Sequence, residues 1–185
     1  MKADQEPASQ IRIETKRLVG APLGDADFGD LRRLHSDPSV AATLAADGYP
    51  IAESATREMV ARSIEHWRKY GFGLFSFRVG ATSAFAGYSG INHTLLHSAG
   101  VIQLAYAVPS GLWRSGYATE MSRAVVSFAF ERTPIEELAA LRLPHNSPSR
   151  RVMEACGFRY ARDLTHADLP HVLYRLTRAN RVGRP

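Results

Sequence analysis

Residues 103–130, QLAYAVPSGLWRSGYATEMSRAVVSFAF, constrain the fold more than any other stretch. An apolar run at 101–108 is broken by Pro109-Ser110-Gly111. A small-residue turn at Arg114-Ser115-Gly116 follows, and then a helical pattern. Ala118, Met121, Val125 and Phe128 fall three or four apart, with Thr119, Glu120, Ser122 and Arg123 between them, so one face is buried and the other wet. The helix ends near Arg132, because Thr133 precedes Pro134 and is pushed out of the α region. The pattern predicts strand, turn, helix.

The first N–H groups of a helix have no partner inside it and carry partial positive charge. Ser115, Gly116 and Ala118 put little side chain in the way of an anion there. An ordinary strand-to-helix turn explains one Gly-x-Ala as well. Trp113-Arg114-Ser115-Gly116-Tyr117-Ala118-Thr119-Glu120 resembles the acetyl-CoA loop, Gln/Arg-x-x-Gly-x-Gly/Ala, of the GNAT N-acetyltransferases. It is closest to the W-x-x-G-Y-A-T-E form of the ribosomal-protein N-acetyltransferase group, with Trp113 in place of the first Gln/Arg. Downstream, residues 146–158, NSPSRRVMEACGF, resemble that family's N-x-x-S-x-R-V-x-E-x-x-G-F. Two ordered motifs are far more specific than either alone.

The chain has 185 residues, 45% hydrophobic and 22% charged, which suits one globular domain with a proper core. Residues 1–10 read as a flexible end, 11–178 as the domain and 179–185 as a basic tail. No run approaches the length of a membrane span and the start has no apolar signal region, so a cytoplasmic protein with no membrane partner is expected. The lone cysteine, Cys156, excludes an internal disulfide or a cysteine-built zinc site and reads as a buried structural thiol; no metal is expected. The formal charge of +5, with Arg175, Arg178, Arg181 and Arg184 near the end, suits a polyanion such as CoA, acidic peptides or RNA. A solvated basic tail explains it equally well, since stacking aromatics are not interleaved, and a nucleic-acid partner is not expected.

Along the chain, 18–23 reads as a first strand and Asp25 as the cap of a helix to about His35, with Phe28, Leu31 and Leu34 inward. Asp37-Pro38 turns the chain, within a segment at 36–40 that resembles the D-P-x-V element of the same acetyltransferases. A second helix at 52–70 places Met59, Val60, Ile64 and Trp67 on one side. Strands at 74–79 and 84–91, a connection at 94–100 and the strand at 101–108 form a meander. After the central helix, 138–143 reads as a strand parallel to its predecessor, reached by a right-handed crossover. Ser147 or Asn146 caps a short helix with Gly157 in its left-handed C-terminal position. Strands at 158–162 and 171–177 close the domain. The order β-α-α-β-β-β-α-β-α-β-β gives an α/β fold with a mixed sheet and matches the GNAT acyl-CoA N-acyltransferase fold.

The resemblance implies more. In that family the fourth and fifth strands splay and the pantetheine arm of acetyl-CoA pairs with the fourth, here along Tyr106, Ala107 and Val108. The backbone of Arg114, Ser115, Gly116, Tyr117, Ala118 and Thr119 would hold the pyrophosphate. Ser149 matches the polar position that can donate to the sulfur, and Asn146 can hold the arm, although helix capping accounts for both. Gln103 stands where this subgroup often carries a carboxylate, which leaves amine deprotonation unassigned, with His93 and His145 as candidates through water. The implied reaction moves an acetyl group from acetyl-CoA to a primary amine, on a small molecule or a protein N-terminus, in a monomer or homodimer. The acceptor is expected between the 37–48 loop and the 164–169 turn. Two other readings stay open: a domain that binds acyl-CoA without turnover, and a basic RNA- or ribosome-associated module.

Overall fold

The structure, a computed structural model, describes residues 11–44, 48–96 and 99–181. The flexible end at 1–10, the last residues of the basic tail and parts of the 37–48 and 94–100 connections lie outside the described residues. Among the described residues, eight strands form one sheet: β1 (Ile13–Glu14), β2 (Leu18–Pro22), β3 (Leu74–Val79), β4 (Phe85–Leu96), β5 (Ala99–Ala107), β6 (Glu137–Arg142), β7 (Arg159–His166) and β8 (Leu169–Thr177). Their order is β1-β2-β3-β4-β5-β6-β8-β7. Every pairing is antiparallel except β5 with β6. The helices are α1 (Phe28–Ser36), α2 (Pro38–Leu44), α3 (Glu53–Tyr70), α4 (Tyr117–Arg132) and α5 (Ser147–Ala155).

This is the expected mixed α/β architecture with two short elements added, β1 and α2. Asp37-Pro38 ends α1, as the sequence suggested, but it also starts α2. Proline's fixed φ is pre-organised for a first helical turn, and the Asp37 carboxylate accepts from the Ser39 amide at 2.9 Å. The β4–β5 hairpin also runs through most of the expected 94–100 connection, with Leu96 paired to Ala99. Leu96 extends it because it finds burial against Ala139 and Leu173. The last hairpin is longer than expected too. Its turn lies at Ala167 and Asp168, both at positive φ, so most of the 164–169 segment is strand. Neither residue carries the usual Asn-Gly turn signal, which is why the sequence placed the boundary early.

One face of the sheet packs on α4, where Met121 and Val125 are fully buried beside Phe75, Phe77, Leu104 and Leu138. The other holds Leu31 and Leu34 of α1 with Val60, Leu74 and Tyr88. In α3 the buried stripe is Thr56, Val60, Ser63 and Trp67, whereas Ile64 is exposed. Small polar groups take core positions because they have partners. Thr56 Oγ1 lies 2.8 Å from His35 Nδ1, and Ser63 Oγ donates to the Leu23 carbonyl at 3.3 Å.

Three of the C-terminal arginines, Arg175, Arg178 and Arg181, are not simply solvated. Arg178 caps the C-terminus of α4, donating to the carbonyls of Phe130, Thr133 and Ile135 while its Nε lies 2.8 Å from Glu136. Arg181, assigned by sequence to the tail, reaches Ser127 Oγ at 2.7 Å and Glu131 at 2.8 Å, and Arg175 pairs with Glu137. A helix end leaves its last carbonyls without partners, and cations are favoured there.

Candidate active site

The parallel pairing of β5 and β6 is confined to two rungs, Gln103 with Ala139 and Leu104 with Ala140. Beyond them β5 continues through Ala105, Tyr106 and Ala107 paired only to β4, while Leu141 and Arg142 of β6 pair only to β8. The strands have parted, and the edge of β5 turned toward β6 carries backbone groups that an extended ligand can pair with. Tyr106 spans the opening. Its hydroxyl donates to the Ser149 carbonyl at 3.0 Å and lies 2.8 Å from Ser149 Oγ. Burial pushes the phenol well above its ordinary pKa, so it stays protonated.

Ala107 and Val108 are buried where β5 ends, and the Trp113 indole N–H donates to the Val108 carbonyl at 2.9 Å, folding the next loop back on the strand. Arg114 and Gly116 have φ of 64° and 83°. The first intrahelical bond of α4 runs from the Glu120 amide to the Gly116 carbonyl at 3.0 Å, so the amides of Gly116, Tyr117, Ala118 and Thr119 precede the helical ladder. The glycine is needed for its left-handed backbone as well as for its small size.

Sequence reasoning missed the groups that hold this loop. Arg17 Nη1 donates to the Ser115 carbonyl at 2.9 Å, its guanidinium lies 4.4 Å from the Tyr117 ring centroid, and Nε and Nη2 each reach Glu120 at 2.6 Å. The Arg17 amide and Thr15 Oγ1 bind the other Glu120 oxygen. Burial works to raise the Glu120 pKa, but the bonds from Thr15 and Arg17 outweigh it and hold the carboxyl below its usual range. Glu120, read from sequence as a wet-face residue, therefore anchors the loop to the start of the sheet. No local signal links residues about a hundred positions apart. We expect Arg17→Ala to raise the acetyl-CoA dissociation constant roughly 2- to 5-fold, about the scale of one well-placed exposed ion pair, with turnover unchanged. Calorimetry on Arg17→Ala, Glu120→Gln and the double variant should show no further loss in the double.

At the N-terminus of α5, Asn146 Oδ1 accepts from the Ser149 amide at 3.0 Å and Nδ2 lies 3.5 Å from the Thr43 carbonyl. Asn146 is thus a cap and a tie to α2. His145 Nε2 lies 3.3 Å from the neighbouring Ala42 carbonyl. At the other end of α2, Asp37 accepts from Ser110 Oγ, a bond that holds its carboxyl below the ordinary range. Helix α2 therefore runs from the loop after β5 to the loop after β6, across the mouth of the opening.

The sequence candidates do not all converge. Ser149, Tyr106 and Asn146 meet at the opening, and Gln103 lies one rung inside it, behind the last closed rung of Leu104 with Ala140. His93 pairs with Ile102, and Asn92 with Gln103, so His93 and Gln103 point to opposite faces of the sheet. His93 instead lies 3.0 Å from His66 Nε2 beside Tyr70 and Phe72, where burial lowers its pKa. Burial pushes the Cys156 thiol up to about 12, which leaves no thiolate for nucleophilic chemistry.

The chain resembles known proteins in sequence and in fold. Residues 17–159 match the family model described as an acetyltransferase (GNAT) domain. The chain is 29% identical over 119 residues to the protein YkkB of Bacillus subtilis (strain 168), covering 64% of this chain and 69% of that one. An acetyltransferase from Agrobacterium tumefaciens str. C58 superposes with a TM-score of 0.78 at 26% identity, over 94% of this chain and 98% of that one. RimL, a ribosomal L7/L12 α-N-protein acetyltransferase solved with coenzyme A, shares the fold with a TM-score of 0.74 at 14% identity, over 90% of this chain and 98% of its own.

Proposed function

Since the chain belongs to the GNAT acetyltransferase family, we propose that it moves an acetyl group from acetyl-CoA to a primary amine by direct attack in a ternary complex. The observation that carries this reading is the two-rung limit on β5–β6 pairing beside the free amides of α4. The β5 edge at Ala105, Tyr106 and Ala107, and Val108 beyond it, offer a track for the pantetheine arm. The amides from Arg114 to Thr119 suit the pyrophosphate. Holding thioester and amine together supplies much of the rate. Ser149 Oγ, hydrogen-bonded to a protonated phenol, can donate to the departing sulfur. Asn146 fixes the Ser149 backbone, and the arm contact assigned to it by sequence would compete with its tie to Thr43.

Deprotonation of the amine is proposed to need no dedicated base. Gln103 cannot take a proton and His93 faces away from it. An α-amine titrates near ~8, so a fair fraction is neutral at physiological pH, whereas a lysine amine near ~10.4 needs a base. The favoured acceptor is therefore a low-pKa primary amine, a protein N-terminus or a small amine, between α2 and the β7–β8 hairpin. The rate should rise with pH along the amine's own titration, and the profile should be unchanged in Gln103→Ala, His93→Ala and His145→Ala. A lost or displaced ionisation in either histidine variant would identify a base and contradict this route.

A thermal-shift screen with acetyl-CoA, followed by a panel of amines and N-terminal peptides, tests the assignment. Gln103 also fits a second reading, acyl-CoA binding without turnover, which amine-dependent release of CoA would exclude. The RNA-binding reading has lost support, because Arg175, Arg178 and Arg181 are each engaged by a glutamate. No helix among the described residues is long and apolar enough to cross a membrane.

A further inference from the structure

On the side of α5 away from the β5–β6 opening lies a cleft of about 400 Å³, bounded by α5, the end of β6 and strands β8 and β7. Its charged lining is Arg142, Arg150, Glu154 and Asp163. Arg150 Nε and Glu154 Oε1, 2.8 Å apart, neutralise each other. Arg142 donates through Nη1 to the carbonyls of Leu143 and Pro144 at 3.0 and 2.7 Å, but its buried Nε has no partner among the described residues. Asp163 makes no side-chain hydrogen bond or ion pair among the described residues. A guanidinium with one unsatisfied N–H and a carboxylate with no partner among the described residues thus line the same cleft, and buried donors in native proteins are normally satisfied.

The strands aim these groups together. Arg142 pairs with Val172, and Val172 with Asp163, so the three stand in one cross-strand row on one face of the sheet. Two strand spacings of about 4.8 Å put the outer Cα atoms roughly 10 Å apart, a span that two side chains narrow to the size of a small ligand. Tyr160 pairs with Tyr174 on the same face, and a bulge between Tyr160 and Arg162 makes this possible. Without the extra residue, Tyr160 and Asp163, three positions apart, would face opposite ways. The two tyrosine rings, 6.2 Å apart and edge to face, form an apolar wall.

We propose that this cleft is a second binding site, separate from the acetyl-transfer site, for a small zwitterion such as an α-amino acid with an apolar side chain. The Arg142 guanidinium receives its carboxylate, Asp163 its ammonium, and the Tyr160 and Tyr174 rings its side chain. A simple anion is disfavoured by Asp163 and a simple cation by Arg142, so both charges are required. Separateness follows from α5, which turns Ser149 to the opening and Arg150 and Glu154 to the cleft.

The test is calorimetry on the full chain without acetyl-CoA, so it does not depend on turnover, using L-phenylalanine, L-phenylalaninamide and 3-phenylpropionate. L-Phenylalanine should bind at least 10-fold more tightly than either analogue. Asp163→Asn, an exposed strand position, should remove that advantage over 3-phenylpropionate and leave thermal stability unchanged. Arg142→Gln should remove the advantage over the amide; because Arg142 also braces two carbonyls, Asp163→Asn is the deciding variant. Equal binding of the three compounds, no saturable binding, or full affinity in Asp163→Asn would overturn the site. Acetylation of L-phenylalanine that is lost in Asp163→Asn would overturn its separateness.

Discussion

Gly116→Val should weaken acetyl-CoA binding by about 100-fold or more, the equivalent of losing two charge-assisted hydrogen bonds at about 1.5–3 kcal/mol each. The loop turns into α4 at φ 83°, where a β-branched residue is strained, and a valine side chain would stand over the amides that precede the helical ladder. A Cβ at this position lies 3.4 Å from Arg17 Nη2, so the added bulk also presses on the clamp. Gly116→Asn separates these causes, since asparagine tolerates the left-handed region. Its affinity should fall less than that of the valine variant. Titration calorimetry reads both, with thermal denaturation to show that each folds. Unchanged affinity in Gly116→Val would remove the pyrophosphate from this loop.

Ser149→Ala should lower kcat on the order of 100-fold while leaving acetyl-CoA affinity nearly intact, the size expected for one lost general acid. The variant is informative because the capping bond comes from the Ser149 backbone amide and survives the substitution. Only the hydroxyl, 2.8 Å from the Tyr106 oxygen, is removed. Tyr106→Phe should cost less, roughly 10-fold, because water can replace the phenol as the hydrogen-bond partner of the serine hydroxyl but not the serine itself. Full turnover with weakened binding in Ser149→Ala would make the hydroxyl a binding group and not an acid.

The fold was legible wherever a residue's environment follows from its neighbours in sequence. Met121 and Val125 sit on the face that their spacing assigns, and Gly157 takes the left-handed φ its position after α5 calls for. Where long-range partners decide, the pattern failed. Thr56 and Ser63 displaced Ile64 from the core because His35 and the Leu23 carbonyl, from other elements, satisfy their hydroxyls. The α4 turn was legible as a helix start with a left-handed glycine, but its anchor was not, since Thr15 and Arg17 meet Glu120 only once β1, β2 and α4 are assembled. Tyr106 was foreseen as a strand residue along the arm; its hydroxyl bond to Ser149 depends on how far β5 and β6 part. Asp37-Pro38 carried two messages, stop and start, and only the first was read.

The central claim, that the parted strands β5 and β6 bring acetyl-CoA and an amine together for direct transfer, is tested most directly by a single-turnover experiment with radiolabelled acetyl-CoA and excess enzyme. With an N-terminal peptide or small α-amine from the screen present, label should appear on the amine in equal amount to the CoA released. With the amine omitted, acetyl-CoA should stay intact and no label should remain on the protein. CoA release independent of the amine, or acetyl-CoA that binds and is never consumed with any amine, would contradict it.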